Sequence, residues 1–190
     1  MDGDVNTRES ERGAAPGDNP VARLAACHAE IHRHCTSLEE VSRKTNPSDD
    51  DVAKLRDAIG YFDIEVQHHH LIEERELFAR LAALPTTVAG STEVASLVKV
   101  LRVDHRLLES MWASLRPVLL KLPAIRPSTL RTVVYSFVTS YRHHMKREEA
   151  GIFPIVSRLL DQDALKAIVD AMEAPLHIRT NVTGGITRRK

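Results

Sequence analysis

From Leu24 onward the apolar positions recur at intervals of three and four: Leu24, Cys27, Ile31, Cys35 and Leu38. That is the period of a helix with one face turned to a core. Asn19 offers a cap and Pro20 a first helical residue, so the pattern predicts a first helix over about Pro20 to Ser42. Asn46-Pro47 ends it. Ser48 with Asp51 makes a capping-box-like start for a second helix reaching about Leu84, just before Pro85. Thr86 to Gly90 reads as loop. A third helix is expected from about Ser91 to Lys121, kinked or ended early by Pro117. Pro123 and Pro127 bracket the next connection. Ser128 then caps a fourth helix carrying Val133, Val134, Phe137, Val138 and Tyr141 through to Leu160, bent at Pro154. A short fifth helix, about Asp163 to Glu173, precedes Pro175. No stretch alternates like a strand. The fold class is all-α, and four long helices joined by short loops pack best as an up-down-up-down four-helix bundle with a short extra C-terminal helix.

Composition sharpens this picture at the ends. Residues 1–19 hold Gly, Asp, Glu, Arg and Pro with almost no apolar side chains, the signature of a disordered leader. The bundle then occupies 20–175, and 176–190 is a frayed basic tail. Lys plus Arg equals Asp plus Glu at 26 each, which leaves no basic stripe for a nucleic-acid partner. No run approaches the roughly 18 consecutive apolar residues of a membrane span. The polar N-terminus has no apolar segment of the export type, so the expected address is cytoplasmic. Cys27 and Cys35 lie eight residues apart on one helix, roughly 12 Å between Cα atoms at 1.5 Å per residue, too far to pair.

The candidate chemistry lies in an internal repeat. The second helix carries Phe62, His68, His69, Glu73, Glu74, Leu77 and Phe78. The fourth carries Phe137, His143, His144, Glu148, Glu149, Ile152 and Phe153, each 75 residues further on with no gap. The first and third helices match more loosely, His28 with Leu38 against His105 with Leu115. Each half is therefore a helical hairpin with one His on its first helix and His-x-x-x-Glu on its second. In the run His68-His69-His70, both His69 with Glu73 and His70 with Glu74 have the right spacing. The counterpart of His70 is Met145 and that of His69 is His144, which selects His69.

Residues four apart on a helix share a face, so each His-x-x-x-Glu aims an imidazole and a carboxylate at one point. Phe62 and Phe137, seven residues earlier, put apolar bulk on that face and turn it inward. A buried carboxylate costs several kcal/mol unless it is paired or metal-bound. Two of them among several histidines call for positive charge, which a pair of metal ions supplies. Imidazole and carboxylate suit iron, with manganese or zinc as substitutes. His32, four after His28, either joins the ligands or hydrogen-bonds in the core. With it the candidate metal set is His28, His32, His69, Glu73, His105, His144 and Glu148. Glu109, four after His105, reads as surface or as a carboxylate orienting an imidazole. His68 and His143 fall one residue off the ligand face. His34 and His70 are expected on the surface, and Glu74 and Glu149 solvated or salt-bridged.

His28, the block His69-x-x-x-Glu73-Glu74-x-x-Leu77-Phe78, the Asp104-His105 pair and His144-x-x-x-Glu148-Glu149-x-x-Ile152-Phe153-Pro154 resemble a hemerythrin-like (HHE-type) domain over about Val21 to Leu160. The resemblance implies a pair of non-haem iron ions, an Fe-O-Fe type centre, that binds or senses a small ligand such as dioxygen. The alternative it carries is a di-iron enzyme of oxidative or nitrosative stress defence acting on peroxide or nitric oxide, or an iron-handling protein. The implied partner is a small diatomic or peroxide ligand. The chain departs from oxygen-carrying hemerythrins, which use His-x-x-x-x-Asp on the fourth helix and take an extra His from the third. A ferritin-like oxidase needs two Glu-x-x-His motifs. Glu65 to His68 is one, but the residue matching His68's Glu in the other half is Ser140.

Overall fold

A computed structural model of the chain describes residues 19–121 and 127–174. The expected leader over 1–19, apart from Asn19, lies outside the described residues, as do Pro123, Pro175 and the expected tail over 176–190. Within them the protein is all-helical, with no strand. Helix α1 spans Pro20–Ser42 and α2 Asp49–Ile72; a π-helical turn, Glu73–Leu77, joins α2 to α3, Phe78–Ala82. Then come α4, Ser91–Leu119; α5, Pro127–Gly151; α6, Phe153–Leu159; and α7, Gln162–Glu173. No helix of the described residues is long and apolar enough to cross a membrane.

The helix ends have local causes. The Asn19 side chain accepts from the backbone N–H of Val21 at 2.9 Å, and Pro20 opens α1. At α2 the capping box is complete: Asp51 N–H donates to Ser48 Oγ at 3.3 Å, and Ser48 N–H to Asp51 Oδ2 at 2.9 Å. Gly90 precedes α4 at φ 84°, a left-handed conformation that costs a side-chain-bearing residue about 1–2 kcal/mol. Pro117 sits inside the last turn of α4, which runs on to Leu119. The fourth helix starts at Pro127, so Ser128 lies within the first turn rather than capping it. Pro154 does more than bend that helix. Its missing N–H and its ring end α5 at Gly151, and α6 restarts with Pro154 in its first turn.

Helix α1 packs against α2 and α5, α4 against α5 and α3, and α7 against α1 and the π turn. The interior divides into two apolar clusters. One holds Ile31, Leu38, Phe62, Val66, Leu108, Trp112, Phe137 and Met145. The other holds Leu24, Ile72, Phe78, Leu101, Ile152 and Ile168. On each long helix the chain passes from one cluster to the other across a polar residue. His28 lies between Leu24 and Ile31, His69 between Val66 and Ile72, His105 between Leu101 and Leu108, and Glu148 between Met145 and Ile152. The four crossings form one buried polar layer.

Candidate metal centre

The layer brings together six of the seven expected residues. His28, His69, Glu73, His105, His144 and Glu148 are all buried, the two glutamates completely. His69 Nε2 lies 3.3 Å from Glu73 Oε1, and His144 Nε2 lies 3.3 Å from Glu148 Oε2; each pair comes from one helix. Across the bundle, His28 Nε2 is 3.2 Å from Glu148 Oε2 and His105 Nε2 is 3.5 Å from Glu73 Oε2. All four Nε2 atoms therefore converge on two carboxylates.

Two groups of cation-holding size result. One comprises His28, His69, Glu73 and Glu148; the other Glu73, His105, His144 and Glu148. In each, the donor atoms lie within 4.8 Å of one another, and both carboxylates belong to both groups. These glutamate oxygens and His28 Nε2 have no aligned hydrogen bond from the protein. Buried acceptors of this kind are costly when left alone. Four imidazoles and two carboxyl groups, with no thiol among them, fit hard-to-borderline cations.

His32 is not among them; it is exposed. The interior seam of α1 steps four from Leu24 to His28, then three to Ile31 and four to Cys35. A residue four after His28 therefore overshoots it toward solvent. Glu109 is exposed as well. Two expectations of exposure are corrected. His34 is buried, its ring stacked on Tyr61 at 4.2 Å, because it lies three after Ile31 and four before Leu38. His70 is also buried. It stacks on His105 at 4.0 Å between ring centroids, and its Nε2 is 3.1 Å from the Tyr141 hydroxyl. It forms a third close group with His105 and His144. The signal was present in the repeat: its counterpart Met145 is apolar, hence interior, so position 70 is interior too.

The outer imidazole nitrogens show why the second glutamate of each motif is present. Glu149 Oε1 is 2.9 Å from His28 Nδ1, and Glu74 Oε1 is 3.0 Å from His105 Nδ1. Each hairpin thus lends its outer carboxylate to the histidine of the other. Asp104 Oδ2 stands 3.8 Å from His144 Nδ1 and also pairs with Arg147. Neither His69 Nδ1 nor His144 Nδ1 has a hydrogen-bond partner, and His69 lacks even a distant carboxylate of the Asp104 kind.

The protonation pattern follows. Burial pushes His69 down to about 4 and His144 down to about 3, so both are neutral. His70 is likewise lowered by burial. Burial opposes charge on His105 too, but Glu148, Glu73 and Glu74 beside it win and raise it to about 11. His28 is raised in the same way, with Glu148 and Glu73 outweighing burial. Burial and the facing Glu73 raise Glu148, whereas the histidines around Glu73 overcome its burial and lower it. Without a cation, a protonated His105 offsets carboxylate charge in the layer.

The sequence model described as the hemerythrin HHE cation binding domain matches residues 19–156, the stretch that contains every residue of the layer. A Haemophilus influenzae protein described as uncharacterized is 24% identical over 169 residues, spanning 87% of this chain and 94% of its own length.

Proposed function

This chain belongs to the hemerythrin HHE cation-binding domain family, and we propose that its polar layer holds two iron ions as a non-haem di-iron centre that binds or senses a small ligand such as dioxygen. The observation that carries this reading is the sharing of Glu73 and Glu148 between two adjoining donor groups. Shared carboxylates are what two neighbouring cations require, because each anion then offsets charge on both.

In this reading His28 and His69 would hold one ion and His105 and His144 the other, with Glu73 and Glu148 available to both. When bound, the iron pair supplies redox capacity and an exchangeable position for a small ligand. The chain does the rest. Glu149 and Glu74 accept the Nδ1 protons of His28 and His105 and so turn the Nε2 lone pairs toward the centre. A cation held here would compete with the proton on His105. The two apolar clusters exclude bulk water from above and below. Four long helices with a short α1–α2 connection support the up-down-up-down topology.

Tyr141 favours a second reading. Its buried phenol touches His70, which stacks on His105. A redox-capable side chain there suits an enzyme handling peroxide or nitric oxide, and peroxide turnover that drops in Tyr141→Phe would select it. The primary test is the visible spectrum of the iron-loaded chain with and without azide. Charge-transfer bands that shift on azide addition are expected; an iron-loaded protein with no azide-sensitive band overturns the ligand-binding reading.

A further inference from the structure

Glu149 and Glu74 receive Nδ1 of His28 and His105, Asp104 stands 3.8 Å from the unpartnered Nδ1 of His144, and the unpartnered Nδ1 of His69 has no carboxylate of this kind. Beside His69 lies a cavity of ≈ 240 Å³ open to the surface, lined by Leu24 and Cys27 of α1, Tyr61 and Ile72 of α2 and Met172 of α7, with the charged or polar Arg23, Glu65 and His68 also on its walls. At about 30 Å³ per liquid water, it holds several waters or one solute of a few heavy atoms. The cavities beside Met111 and Phe137, and beside Glu39 and Tyr135, border no member of the polar layer.

His69 is 4% exposed, lines this cavity and belongs to the polar layer. Its Nε2 faces Glu73 at 3.3 Å. A ring whose Nε2 lone pair serves the centre carries its proton on Nδ1. That N–H is buried and unpartnered in the protein, and such a donor calls for an acceptor. The cavity has structured walls. The Tyr61 hydroxyl donates to the Cys27 carbonyl at 3.4 Å, joining α1 to α2, and Arg23 pairs with Glu173 at 2.6 Å, joining α1 to the end of α7.

We propose that this cavity under α7 is where small hydrogen-bond-accepting solutes enter and dock on their way to the metal centre, with the Nδ1–H of His69 as the donor that receives them. The site takes solutes of a few heavy atoms carrying a lone pair or negative charge, such as azide, nitrite or peroxide. Entry is from the His28/His69 side. On the other side His70 and Tyr141 fill the corresponding space with stacked rings. This assignment rests on the reading of the polar layer as a metal centre.

Cys27 provides the test, because its thiol lines the cavity whereas Cys35 is buried away from it. The full chain, iron-loaded, is treated with methyl methanethiosulfonate or with its benzyl analogue, and mass spectrometry checks for one label on Cys27. Stopped-flow absorbance then gives the azide association rate. The expected result is a rate slowed a few-fold by the methylthio label and at least tenfold by the benzylthio label. Iron content and the final azide spectrum stay unchanged, and Cys27→Ala is insensitive to both reagents. An unchanged rate in benzyl-labelled protein overturns the proposal, as does a Cys27 that neither reagent reaches in the folded protein. A chain that takes up no iron overturns the metal reading instead, and in that metal-free protein slower labelling of Cys27 in Met172→Trp still tests the cavity by itself.

Discussion

Replacing His69 with leucine distinguishes a layer built for a cation from one built for stability. If the ring were a structural partner of Glu73, its loss would break a buried pair, at a cost of about 3–5 kcal/mol. In the metal-free fold His69 is neutral and its Nδ1 is unpartnered. An apolar side chain of similar volume removes a buried polar group that costs about 1–3 kcal/mol. Part of that gain is offset by lost attraction to Glu73 at 3.3 Å. The metal-free variant is therefore expected to range from equal in stability to about 2 kcal/mol more stable at neutral pH. A second signature is its response to acid. The unfolded chain binds a proton at His69 near the ordinary 6.5, the folded chain only near 4. Stability held above pH 6.5 is thus lost as pH falls through that interval. The loss is about 1.4 kcal/mol per unit, or about 3 kcal/mol in all. His69→Leu removes that component. Urea unfolding in chelator, near neutral pH and near pH 4, measures both effects. A variant that loses more than about 2 kcal/mol at neutral pH and keeps the parent's acid sensitivity refutes this reasoning.

Other substitutions test other parts of the account. His70→Leu is expected to weaken retention of the ion held by His105 and His144 by about 10–100-fold, read as metal content after dialysis against a graded chelator series, with His32→Ala unchanged. Ser48→Ala removes the oxygen that receives Asp51 N–H and is expected to cost about 1 kcal/mol in urea unfolding, with no effect on metal content. Phe62→Ala empties a site that packs on Trp112 at 4.9 Å, Phe137 at 5.2 Å and Tyr141 at 5.4 Å. A loss of about 3–5 kcal/mol is expected by thermal or chemical unfolding.

Much of this was legible in the chain because two periodicities coincide. The three-four apolar spacing and the capping residues Asn19 and Ser48 place α1 and the start of α2. The 75-residue repeat puts His69, Glu73, His144 and Glu148 on equivalent faces, and the structure brings all four to one layer. What escaped was rotation about a helix axis. His32 satisfies the i, i+4 rule yet misses the seam, because the rule fixes neighbours on one helix and not the direction of the next helix. His70 was set aside because Met145 is no ligand, although an apolar counterpart also marks an interior position. The π turn at Glu73–Leu77 has no counterpart in α5 and no sequence signal in the repeat, since the two halves align without a gap. Such one-turn expansions occur often at functional sites. Pro154 explains why the two halves diverge after the shared motif, where α5 stops and α6 restarts.

The most direct measurement is the metal count. The full chain is stripped with chelator, reloaded anaerobically with ferrous iron, desalted and analysed for iron per chain, and its melting temperature is compared with that of the stripped protein. The account predicts two ions per chain, a higher melting temperature when loaded, and loss of both effects in the Glu73→Gln, Glu148→Gln double variant. Less than one ion per chain, with a melting temperature that loading does not move, contradicts it.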